Sequence, residues 1–209
     1  PTMNSHFPAF FAAAPHITLH DPLAEFLGSC TDGLIEYRYA DAVRLAGHSC
    51  PTVAGAWLMT LRGLRALYGE ALPVRGEITA SLRDARDHGT TGVVASIVQL
   101  VTGAAAETGF QGIGPNRRFA RQQLLQFSVQ PQPGTLSLCR RDTGRNVHLD
   151  LDTRCIPWPE EMRSLMPRAV SGQATTAERQ RFAAMWQDRV RLMLIEHADD
   201  PALVSVRTS

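Results

Sequence analysis

Apolar positions fall into two periods along this chain. The longest stretch at helical spacing is Pro51–Tyr68, where Ala54, Trp57, Leu58, Leu61, Leu64 and Tyr68 mark one stripe and Gly69 ends it. Asp21-Pro22 opens a shorter helix with Asp21 as cap, an apolar side of Leu23, Phe26 and Leu27, and a stop at Gly28. Residues 93–101 are apolar almost throughout. With Ala104 to Ala106 the run is too long for a strand, so it predicts a buried helix. Near the C-terminus a short helix over 160–166 precedes a loop with Ser171-Gly172-Gln173. Thr175-x-x-Glu178 is a capping box that opens a helix to about Glu196, with Phe182, Met185, Trp186, Val190 and Met193 on its apolar face.

Period-two patterns predict strands. Residues 75–82 place Ile78, Ala80 and Leu82 on one face, and 123–130, 135–141 and 146–152 read as a meander joined by Pro131–Gly134 and Thr143–Arg145. Pro15 and the β-branched Ile17 and Thr18 predict extended chain between His16 and His20. Residues 35–39 fit either a short strand or a helix start. The order of elements gives an α+β fold with helices packed on one face of a sheet. It divides into an N-terminal arm (1–20), a core (21–156) and a C-terminal helical extension (157–209) packed on the core or at a dimer interface.

Composition narrows the class. The chain has 209 residues, 44% hydrophobic and 20% charged, with a net charge of +1, which gives no bulk electrostatic case for nucleic acid or a membrane surface. All 21 basic residues are arginine, read here as GC-rich coding of a bacterial kind. No apolar run has the length of a membrane span. The apolar stretch 7–14 lacks the basic flank of a signal peptide, and Met3 reads as a natural start. Cys30, Cys50, Cys139 and Cys155 form no C-x-x-C pair, which excludes a self-contained zinc ribbon and predicts reduced thiols in a cytoplasmic protein.

The chemistry concentrates in Gly47-His48-Ser49-Cys50-Pro51. Pro51 at the first helical position makes Cys50 the N-cap, beside first-turn N–H groups that favour a thiolate, with His48 on the loop before it. A reactive cysteine, a metal-binding cysteine and a buried capping cysteine all fit this pattern. The glycine-dense segment 108–114 contains Gly112-x-Gly114 but no complete dinucleotide fingerprint; it predicts a loop with positive φ or close backbone approach.

Gly47-His48-x-Cys50-Pro51 resembles the signature of the FmdE-like family, named for the E component of formylmethanofuran dehydrogenase. Leu100-x-Thr102-Gly103 looks like that family's second motif, and Ser171-Gly172-x-Ala174-Thr175-x-x-Glu178 like the segment after its sheet. The resemblance implies an α-β-α-β-β-β core with a mixed sheet, a metal, usually zinc, at the His/Cys motif, and a homodimer. Two positions depart from the pattern: Ala46 stands where another histidine is frequent, and Ala104 where a cysteine ligand is expected. Zinc needs three or four ligands. His48 and Cys50 supply two, and His20 is favoured as the third over His16, His88 and Cys30.

The implied function is a metal-binding protein with a redox or accessory enzymatic role and a bound small molecule or cofactor. Its open metal position would face Thr108, Gly109 and Phe110, and Glu107 would serve as general base. One alternative is metal-free thiol chemistry at Cys50 with His48 as base. Another is a haem or cofactor carrier whose pocket is lined by Trp57, Met59 and Phe110.

Overall fold

Pro15 and the β-branched residues after it keep the arm extended. In the computed structural model, which describes residues 6–209 and leaves Met3 outside the described residues, β1 (Ile17–His20) pairs antiparallel with β2 (Leu34–Tyr37). Asp21 caps α1 (Pro22–Phe26) by accepting from the Leu23 and Ala24 N–H groups. The expected apolar side of this helix is not core. Phe26 and Leu27 are 57% and 60% exposed, because five residues are too few to bury a face, and Phe26 instead leans on the Phe119 ring at 5.3 Å. The ambiguous residues 35–39 resolve into both alternatives: β2 ends at Tyr37 and α2 (Tyr39–Ala46) begins two residues later.

α3 (Pro51–Tyr68) has the predicted bounds, with Cys50 as its N-cap. It lies against β5 (Leu136–Arg140), β6 (Asn146–Leu151) and β7 (Val204–Thr208). A Cβ at Gly63 would sit 2.8 Å from Leu138 Cδ1 and 3.0 Å from Leu149 Cδ1, so glycine there lets the helix come close to the sheet. β3 (Ile78–Leu82) turns Ile78, Ala80 and Leu82 inward, and α4 (Thr91–Thr102) is the buried helix expected over 93–101. The strand order is β4-β3-β5-β6-β7, where β4 is Leu125–Gln126. Only the β3–β4 pair is parallel, so the sheet is mixed and the fold is α+β. Each fully buried leucine on the helix-covered face contributes about 1.5–3 kcal/mol; Leu136, Leu138 and Leu149 are all fully buried.

Two sheet expectations need correction. Residues 123–130 do not make the first strand of a meander; only Leu125 and Gln126 pair, parallel to β3, because Gln123 and Ser128 take positive φ and break the extended run on both sides. The sheet also gains β7, which pairs with β6 along Val147–Leu151, so residues after 200 join the core sheet. α5 (Glu160–Val170) runs past Met166 through Pro167. α6 (Thr176–Arg191) opens on the expected Thr175–Glu178 capping box and continues as a wider turn over Leu192–Glu196. Among the described residues, no helix is long and apolar enough to cross a membrane.

Candidate functional site

The motif before α3 forms a tied-down turn. Gly47 ends α2 in the left-handed region, and exposed His48 places Nδ1 3.0 Å from the Ala46 carbonyl oxygen. Ser49 Oγ lies 2.9 Å from the Tyr39 hydroxyl, whose own ionisation is pushed up by burial. The Ser49 carbonyl accepts from Trp186 Nε1 and Gln187 Nε2, which anchors α6 to the turn. Cys50 Sγ accepts from Val53 N at 3.5 Å and so satisfies a first-turn donor.

This donor set does not fit a zinc site within one chain. Among the described residues, no group of three or more His, Cys, Asp or Glu side chains could hold a metal, so His20 does not join His48 and Cys50. His20 Nε2 is 2.8 Å from Glu25, His16 approaches Glu36 at 3.5 Å and His88 approaches Asp84 at 3.8 Å. The other expected site residues lie apart too. Glu107 is exposed and paired with Arg86 at 2.7 Å; that hydrogen bond holds its carboxyl below the usual range, the wrong direction for a general base. Thr108, Gly109 and Phe110 do not line the cleft described next, though the Phe110 carbonyl accepts from Arg121 N. Trp57 and Met59 are core residues while Phe110 is 44% exposed, so the three do not share a pocket wall.

The structure instead assembles a cluster that pattern reading misses. Asp21, the α1 cap, is buried and holds two guanidiniums: Arg75 Nη1 donates to Oδ2 at 2.9 Å and Arg121 Nη2 to Oδ1 at 2.8 Å. Arg75 spends its remaining donors on the carbonyls of Leu100 and Val101 at the end of α4. Arg121 does not: it is 6% exposed, and its Nε and Nη1 are buried with no partner among the described residues. Two glycines make its slot. A Cβ at Gly76 would lie 1.8 Å from Nη1 and one at Gly103 2.9 Å, and φ of +90° at Gly76 independently favours glycine.

Burial pushes the Asp21 carboxyl up, but the Arg75 hydrogen bond and the Arg121 charge outweigh it and hold it below the usual range. Burial, with Arg75 close by, draws Arg121 down from the ordinary arginine value. One carboxylate thus faces two cations. The cluster borders a cleft of about 390 Å³ lined by Arg75, Arg117, Arg118, Arg121 and Arg141 against a single acid, Glu77. Arg141 pairs with Glu77 at 3.4 Å, and Arg118 lies over the Phe119 ring at 4.5 Å. Chemically the cleft offers fixed N–H donors and uncompensated positive charge to an anion.

No family model matches the chain, and no curated protein matches it. Among solved structures it is similar to an FmdE-like protein of the tungsten formylmethanofuran dehydrogenase type from Syntrophus aciditrophicus, at 17% identity and a TM-score of 0.43, over 83% of this chain and 72% of that one.

Proposed function

We propose that this chain is an FmdE-like α+β protein that binds a small anionic ligand, through a phosphate or carboxylate group, in the arginine-lined cleft. The reading rests on Arg121, a buried guanidinium with two unpartnered donor atoms beside a carboxylate already shared with Arg75. A buried donor left unmade costs about 1–3 kcal/mol, so an anionic acceptor completes the site. Arg117, Arg118 and Arg141 at the rim supply attraction from solution. The family part of the reading is supported by the Gly47–Pro51 turn at the head of α3.

Calorimetric titration with inorganic phosphate and with citrate at low ionic strength tests it. One of the two anions is expected to bind, with affinity falling as salt is added and dropping at least about tenfold in Arg121→Met. Arg141→Ala, at the half-exposed rim, is expected to weaken binding more mildly and to leave the fold intact. Binding of neither anion, or full binding by Arg121→Met, would remove the proposal.

The zinc implied by the motif makes a separate claim. Two donors per chain do not complete a tetrahedral site, whereas the His48 and Cys50 of two chains supply four. Elemental analysis of protein purified without a metal-affinity tag is therefore expected to give at most one zinc per two chains, lost with the dimer in Cys50→Ala. One metal per chain in a monomer would overturn that stoichiometry.

A further inference from the structure

A second cavity lies between α5, α6 and the segment that follows β6. It is an open groove of about 920 Å³ with apolar walls from Ile156, Trp158, Met166, Pro167 and Val170. That volume falls within the usual range for small-molecule sites. Its polar floor is incomplete. Arg189 is 6% exposed, stacks its guanidinium 4.6 Å from the Trp158 ring centre, and donates through Nη2 to the Thr153 carbonyl. Its Nε is buried without a partner, and so is the Trp158 indole Nε1. Among the described residues no carboxylate pairs with Arg189, and burial draws it down from the usual arginine value. The groove also borders Arg163, an exposed cation, whereas Arg154 beside it is occupied by Asp152.

We propose that this groove binds a free aliphatic monocarboxylate, with the carboxylate on Arg189 and the Trp158 indole N–H and the tail along Met166, Pro167 and Val170. The charge balance selects the head group. One buried, unpaired cation matches one negative charge, whereas a phosphate dianion would keep an unneutralised charge against apolar walls. The walls select the tail, since each methylene that leaves water for them tightens binding about fourfold. This site shares no residue with the arginine cleft and stands or falls independently of it.

Titration of the full chain with octanoate, decanoate and 1-octanol, followed by calorimetry and tryptophan fluorescence, tests the proposal. Decanoate is expected to bind about fifteenfold more tightly than octanoate, and 1-octanol to bind at least about tenfold more weakly than octanoate for want of a charge-assisted hydrogen bond. Arg189→Met is expected to bring octanoate down to the level of the alcohol. Val170→Glu, at a position 77% exposed and so safe for folding, is expected to block both ligands while phosphate binding at the other cleft is unchanged. The fluorescence change is expected to vanish in Trp158→Phe. Equal binding of octanoate and octanol, undiminished decanoate binding in Val170→Glu, or no decanoate binding at all would each overturn the assignment.

Discussion

Trp57→Ala is expected to cost about 3–5 kcal/mol of folding stability, read as a lower urea midpoint at unchanged slope. Trp57 is fully buried in the middle of α3, with its ring edge-on to Tyr39 at 6.2 Å. Its Nε1 donates to the Pro15 carbonyl at 3.0 Å, so the same side chain that fills the core also ties down the arm. The arm has few other such anchors, although Phe11 stacks on Tyr39 at 4.9 Å. Amide exchange at Ile17 and Leu19 is therefore expected to accelerate beyond what the global loss of stability accounts for. Trp57→Phe keeps most of the volume but removes the donor. It is expected to cost less overall while retaining the local loosening of β1. A loss below about 1 kcal/mol in the alanine variant would mean that the core closes over the gap, against the close packing of interiors.

Where the fold is legible in the sequence, the signals are local. Cys50-Pro51 and Gly69 bracket α3, Asp21-Pro22 opens α1, and Thr175–Glu178 opens α6, because a cap and its helix are a few residues apart and each satisfies orphan backbone groups by itself. β4 is not legible. Its neighbours Gln123 and Ser128 sit at positive φ, a conformation their residue types do not announce. β7 is short and half-exposed, and its pairing with β6 is decided by the sheet edge rather than by its own pattern.

The arginine cleft is hidden for a different reason. Arg75 and Arg121 lie 54 and 100 residues from Asp21, so no window of sequence contains the cluster. Every basic residue in this chain is arginine, which removes the usual contrast between a guanidinium chosen for its fork and a lysine chosen for charge. The usable signal is glycine. Gly76 directly follows Arg75, and Gly103 follows the buried end of α4; both leave room for the Arg121 guanidinium. The His-x-Cys motif draws attention because its residues are adjacent, yet the structure gives it a cap, a turn and an α6 anchor but no third donor among the described residues.

Asp21→Asn is expected to cost a further, comparable amount, about 3–5 kcal/mol near neutral pH, because it leaves two guanidiniums buried with no counter-charge. Asparagine is as good an N-cap as aspartate, so loss of the α1 cap does not account for the change. The pH dependence carries the sign. The folded carboxyl of Asp21 is held below its ordinary value of 3.8, so its contribution is present above that value and is lost as pH falls through the folded one. The wild-type and Asp21→Asn stability curves are therefore expected to run apart above about pH 4 and to converge in more acid solution. Removing one cation as well, in Asp21→Asn with Arg121→Met, is expected to recover much of the loss, since replacing buried charge by apolar volume is close to neutral. The cleft's ligand enters the same equation. An anion at a hundred times its dissociation constant adds about 2.7 kcal/mol to whichever form binds it. Because Asp21→Asn leaves both guanidiniums uncompensated, phosphate or citrate is expected to raise its melting temperature by more than that of the wild type. Equal shifts in the two proteins would show that the anion binds at the rim arginines and not at Arg121.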